Sequence, residues 1–278
     1  MLKQRVITAV VLLALLLPAL LAAQPWPFAL LTLVAIGAAG WEWARLNACG
    51  QPAAVAFGGV LAAGCAAALW RGWHIEAPAP AWWVATLVWV LGGLGAIRLG
   101  PSSWPQLPRA LRLVLGWLAL WTAWLALAHA KTIGVNFILS VFCLVWVADI
   151  AAYFGGRQFG RRKLSPSISP GKSWEGVWSG MAGALFLAAL WLVADGRFAV
   201  DSASLYTRLQ VRAGVPGLVL GVLFLAAMSV VGDLVESLVK RSAGAKDSSR
   251  LLPGHGGVLD RIDALLPVFP LALALSTR

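Results

Sequence analysis

Apolar residues in this chain do not alternate with polar ones. They run in long blocks, broken by short segments rich in charge, Pro or Gly. A hydrocarbon core of ~30 Å needs about 20 apolar residues in one helix, with a working range of roughly 17–25. By that ruler the pattern predicts spanning helices near 6–23, 27–44, 53–70, 81–97, 111–128, 134–154, 174–194 and 214–235. A ninth, near 264–277, is short and carries Pro267 and Pro270, which predict a kink or tilt. There is no internal repeat and no low-complexity linker. The expected fold is an all-α polytopic integral membrane protein of about nine helices in one membrane domain. Residues 1–130 hold few polar groups inside spans and read as scaffold. Residues 131–278, with their polar loops, read as the catalytic region.

Composition sharpens this picture. Of 278 residues, 60% are hydrophobic and 12% charged, against about half and a quarter in a soluble domain. That excludes a soluble globular enzyme, a disordered chain and a disulfide scaffold. Cys49, Cys65 and Cys143 form no CxxC and read as small buried hydrophobes. The formal charge is +11, but the cations sit between apolar runs. Their fitting partners are lipid headgroups and phosphorylated substrates, not nucleic acid. With the N-terminus in the cytoplasm and nine alternating spans, 16 of the 22 Lys and Arg fall on the cytoplasmic side. That bias predicts N-in and C-out. Lys3 and Arg5 ahead of an apolar run resemble a signal peptide, but an uncleaved first span is the expectation.

Sixteen Trp stand against two Tyr. Trp26, Trp41, Trp43, Trp70, Trp73, Trp82, Trp83 and Trp104 lie near span ends, where rings anchor at the interface. Trp117, Trp121 and Trp124 share a helix face and are expected to pack. Gly58, Gly59, Ala62, Ala63 and Ala66 would let helices approach closely.

Three places combine intramembrane acids with basic loops. Asp149 lies in an apolar span and needs a partner or a cation. The segment 157–176 carries Arg157, Arg161, Arg162, Lys163 and Lys172 with several Ser and Gly. Such a loop suits phosphate, and Ser173 is a candidate N-cap of the next span. Gly171-Lys172-Ser173 is not a P-loop, because position 166 is Pro where that motif needs Gly. The third place runs from Asp233 to Asp263. Asp233 and Glu236 share a helix face. Asp260 and Asp263 do the same if a helix starts near Gly257. Lys240, Arg241, Lys246, Arg250 and Arg261 surround them. Oxygen ligands at a phosphate site suit Mg²⁺ or another divalent cation.

The pattern Ser237-x-x-Lys240-Arg241, Lys246-Asp247, Pro253-x-His255-Gly256-Gly257-x-x-Asp260-Arg261-x-Asp263 resembles the signature of phosphatidate cytidylyltransferases, the CDP-diacylglycerol synthases. Asp149-x-x-Ala152-Tyr153-x-x-Gly156 and Ser169-Pro170-x-Lys172-Ser173-x-Glu175-Gly176 resemble the same family. Ala264 stands where many members carry Ser. The resemblance is specific over about 145–263; earlier residues match only in hydropathy and length.

The resemblance implies that CTP and phosphatidic acid give CDP-diacylglycerol and pyrophosphate, in the bacterial inner membrane with the site facing the cytoplasm. Asp233, Asp260 and Asp263 are the expected metal ligands. Arg261 and His255 join them as catalytic candidates. Lys172, Ser173, Lys240, Arg241, Lys246 and Asp149 are the expected substrate-binding residues. A homodimer is a further expectation. A CTP-dependent polyprenol kinase and a secondary transporter are the alternative readings.

Overall fold

A computed structural model describes residues 2–76 and 79–277. It is a helical bundle: α1 (Leu2–Leu21), α2 (Trp26–Leu46), α3 (Gln51–Trp70), α4 (Ala79–Leu87), α5 (Leu94–Leu99), α6 (Arg109–Ile133), α7 (Val135–Phe159), α8 (Trp174–Arg197), α9 (Leu205–Ser242), α10 (Leu259–Ile262) and α11 (Leu265–Ser276). A π-helical stretch, Val88–Gly93, joins α4 to α5, so Pro80–Leu99 runs as one rod. Among the described residues seven helices are long and apolar enough to cross a bilayer. The chain is an integral membrane protein built on helices.

Each predicted span falls on a helix, but two differ in kind. The apolar part of α1 is Val6–Leu21 only, and most of its large side chains are exposed. The segment expected as a ninth span is the 12-residue α11, about 18 Å long at 1.5 Å per residue. Ten of those residues are buried. It is a central plug surrounded by α4, α6, α7 and α9. Its uniform apolarity reflects burial in protein on all sides, which hydropathy alone does not separate from lipid.

Aromatic and small residues divide along similar lines. Trp26, Trp70, Trp73 and Trp83 are exposed, as interface anchors should be. Trp43, Trp82 and Trp104, also expected at the interface, are buried core side chains. Trp43 donates to the Arg112 carbonyl at 3.0 Å and Trp104 to Asn47 Oδ1 at 2.9 Å. Trp117 stacks on Trp121 with centroids 5.7 Å apart, and Trp124 is buried. Gly58 does admit a close approach, since a Cβ there would lie 2.6 Å from the Gly37 carbonyl on α2. Gly59 faces open space.

Helices α7 and α8 pack against each other along much of their length. Added carbons at Gly176 and Gly180 would fall 2.9 and 2.8 Å from the Ala152 and Ala148 carbonyls of α7. Their connection is not a loose loop. It is a β-hairpin, β1 (Lys163–Ser165) against β2 (Ser169–Ser173), antiparallel with Lys163 opposite Ser173. Ser173 then caps α8, its Oγ accepting the Gly176 N–H at 3.2 Å. Helix α9 breaks at Ala213 and Gly214, next to the predicted start of the eighth span. Beyond the break it runs unbroken to Ser242 and carries the acids and bases of the site.

Candidate active site

The site lies where the hairpin, α7 and the C-terminal half of α9 meet. Lys172 of β2 reaches Asp233 of α9 at 2.7 Å. The second Asp233 oxygen accepts from Ser237, one turn on, at 3.2 Å. Around this pair is a cleft of ≈ 510 Å³ lined by Asp149, Arg157, Ser169, Lys172, Ser173 and Asp233, among others. Asp149 comes from α7 through the helical register that puts Ala152 and Gly156 on the same side. Two stretches far apart in sequence, 149–177 and 230–233, thus share one mixed-charge cleft.

A second station lies seven residues along α9, about 10 Å away on a helical rise. Lys240 bridges Glu236 at 2.5 Å and Asp260 at 2.6 Å. Asp260 Oδ2 accepts from Ser248 N (2.9 Å), Ser248 Oγ (2.9 Å) and Gly257 N (2.7 Å). Burial works against its charge. The Lys240 ammonium and these N–H donors win, and hold the Asp260 carboxyl down at about 2.

Asp263 sits between the stations. Its carbonyl packs on Gly232, where a Cβ would lie 2.5 Å away. One carboxylate oxygen accepts the Ala264 N–H at 2.7 Å. Loss of surrounding water, and then the charge of Asp233, push the Asp263 carboxyl up from the usual range. The two acids press on each other, Asp233 lines the cleft, and carboxylate oxygens of this kind suit a hard cation.

The expected trio of metal ligands is therefore divided. Among the described residues, no three His, Cys, Asp or Glu side chains converge on one point. Asp233 and Asp263 have carboxylate capacity to spare. Asp260 is saturated on one oxygen and salt-bridged on the other. Mg²⁺ keeps waters and takes one or two carboxylates with substrate phosphates, so the pair Asp233 and Asp263 fits it without Asp260.

Other expected residues fall as follows. Arg261 is not clamped between Asp260 and Asp263. It is exposed, and its guanidinium clasps the His255 carbonyl through Nε, at 2.9 Å, and Nη2. The short helix α10 carries both Asp260 and Arg261 and turns them apart, the acid toward Ser248 and Gly257 and the Arg toward the His255 carbonyl. His255 Nδ1 is buried with no hydrogen-bond partner among the described residues. Arg241 ties two segments, donating to the carbonyls of Ile168 (3.3 Å) and Ala245 (3.2 Å). Lys246 is exposed.

One residue escaped the sequence reading. Glu42 of α2, in the half read as scaffold, is 0% exposed. It accepts from Ser248, Ser249, Val258 and Leu259. Its position near a span end looked unremarkable; only its complete burial singles it out.

Comparison with known proteins gives the family. The model of the cytidylyltransferase family matches residues 3–277. The chain belongs to that family. It is 40% identical to a phosphatidate cytidylyltransferase of Pseudomonas aeruginosa over 99% of this chain and 97% of that protein. A Haemophilus influenzae protein of the same name is 37% identical over 97% and 96%. One from Thermotoga maritima is 42% identical over 143 residues, 51% of this chain and 49% of that protein. Membership makes the chain a nucleotidyltransferase.

Proposed function

We propose that the chain transfers the cytidylyl group of CTP to phosphatidic acid, giving CDP-diacylglycerol and pyrophosphate. The observation that carries this reading is the Lys172–Asp233 pair across a mixed-charge cleft, in a chain that matches phosphatidate cytidylyltransferases over nearly its full length. A phosphate monoester oxygen of the lipid attacks the α-phosphorus of CTP, and pyrophosphate leaves. The nucleophile is already anionic, so no strong base is needed. Neutralisation and in-line placement are needed instead.

Lys172 and Arg157 line the cleft and meet phosphate oxygens. Lys240, held by Asp260, presents a second ammonium along α9. Asp233 and Asp263 would hold a divalent cation, and Asp149 would accept hydrogen bonds from its waters or from Lys172. When bound, Mg²⁺ neutralises phosphate charge and stabilises the leaving pyrophosphate. His255 supplies an orphan ring nitrogen next to the site. Ser173 spends its hydroxyl on the α8 cap and shapes the cleft wall.

The cleft opens at the membrane surface that we assign to the cytoplasm, following the basic bias of its loops, in a bacterial inner membrane. Nine membrane-embedded helices, N-in and C-out, go with that assignment, as do a single membrane domain and a homodimer. Purified protein in detergent, given phosphatidic acid and CTP labelled at the α-phosphate, should yield labelled lipid and unlabelled pyrophosphate. EDTA should stop it and Mg²⁺ restore it. Transfer of a γ-label to a polyprenol instead would overturn the reading.

A further inference from the structure

The mechanism leaves Glu42 unused, although this buried acid accepts hydrogen bonds from a loop more than two hundred residues away. We propose that Glu42 is a positioning residue: it fixes the loop 248–259 and, through Asp260, sets Lys240 for the polyphosphate of the nucleotide. This rests on the reading of the site given above.

Three full donors converge on two oxygens, and the Ser248 hydroxyl shares its one proton between Glu42 and Asp260. Oε1 accepts from Ser249 Oγ at 2.5 Å and Val258 N at 2.9 Å. Oε2 accepts from Leu259 N at 2.7 Å, and lies 3.2 Å from Ser248 Oγ, whose proton it shares with Asp260 Oδ2 at 2.9 Å. Only an acceptor-only group takes donors on both oxygens in this way. The loop is shaped for this carboxylate. A Cβ at Gly257 would fall 2.3 Å from Glu42 Oε1 and 2.0 Å from Ser248 Oγ, so only glycine admits the acid. The preceding Gly256 takes φ +86°, which an L side chain resists.

The chain of contacts continues from there. The Ser248 and Gly257 N–H groups, fixed on either side of Glu42, both point at Asp260 Oδ2. Asp260 Oδ1 holds the Lys240 ammonium at 2.6 Å. Loosening the loop removes the donors that orient Asp260 and so frees Lys240. A loop that is competent only part of the time weakens apparent substrate affinity by that fraction. The nucleotide, once bound, restores the order.

Glu42→Gln keeps the shape but puts an NH₂ against two donors. It should raise the KM for CTP at least tenfold with kcat within threefold. Ser249→Ala, which removes one donor, should raise KM about threefold and guards against a folding defect in the first variant. In both, trypsin should cut after the exposed Arg250 faster than in the parent, and CTP with Mg²⁺ should slow that cut. The trypsin comparison without nucleotide needs no turnover, so it stands even if the assigned reaction fails. A lower maximal rate at unchanged KM, the mark of fewer folded molecules, would overturn the proposal. So would an unchanged rate of cleavage at Arg250.

Discussion

Asp233 and Lys172 meet at 2.7 Å, both partly exposed to the cleft, and their variants should fail differently. Asp233→Asn keeps the Ser237 contact and removes the charge that a cation and Lys172 both answer. Turnover should fall at least about a hundredfold, the scale of lost transition-state electrostatics, with protein yield unchanged; steady-state rates on matched amounts of purified protein check this. Lys172→Ala should raise the apparent KM for CTP or phosphatidic acid more than it lowers kcat, the mark of uniform binding. A kcat-only defect would place Lys172 in the chemical step instead. Arg261 teaches the opposite lesson. It lies between Asp260 and Asp263 in sequence, yet its guanidinium pairs with neither and clasps the His255 carbonyl. Sequence adjacency gave residue types correctly and side-chain direction wrongly.

At the scale of elements, close helix approach decides where the site residues stand. Gly58 and Gly59 are neighbours on α3 with opposite surroundings. Gly58→Ala drives a methyl into the Gly37 carbonyl, a backbone atom that cannot swing away. It should cost roughly 1–3 kcal/mol and lower the detergent melting temperature. Gly59→Ala meets nothing within 4 Å and should leave it unchanged or slightly raised, since Ala favours helix over Gly. Thermal aggregation assays on the two variants read the contrast. The same logic holds the hairpin: Gly176 and Gly180 bring α8 onto α7, and the strand just before α8 delivers Lys172. The sequence showed small residues in these stretches, but not which of two adjacent glycines faced a neighbour.

Across the whole molecule, contacts sort the connecting segments into two groups. Asn47 meets Trp104 and Arg112, Glu42 meets the 248–259 loop, and Arg241 meets Ile168 of the hairpin. At the other end Lys131 donates to the Ala22 carbonyl, His129 contacts the His74 carbonyl, and Asp201 caps α7 at Asn136. Alternating spans require this grouping. Single cysteines at the exposed positions Ser167 and Leu251, in a chain without Cys49, Cys65 and Cys143, should be labelled only from the cytoplasmic face. A cysteine at the exposed Val200 should be labelled only from the opposite face. Reversed labelling would invert the orientation while leaving the fold intact.

The sequence by itself determined the class of the molecule, the rough place of its helices and the residues that carry charge in its second half. It could do so because lipid imposes a length and an apolarity on every span, and because an acid in such a span is conspicuous. Tertiary structure alone decided three further matters. It made the last apolar segment a buried plug, since protein and lipid are equally apolar to hydropathy. It separated Asp260 from Asp233 and Asp263 by committing its oxygens to Lys240, Ser248 and Gly257. And it drew Glu42 across more than two hundred residues to the loop that holds Asp260, a pairing set by helix packing in space, which no local pattern in the chain encodes.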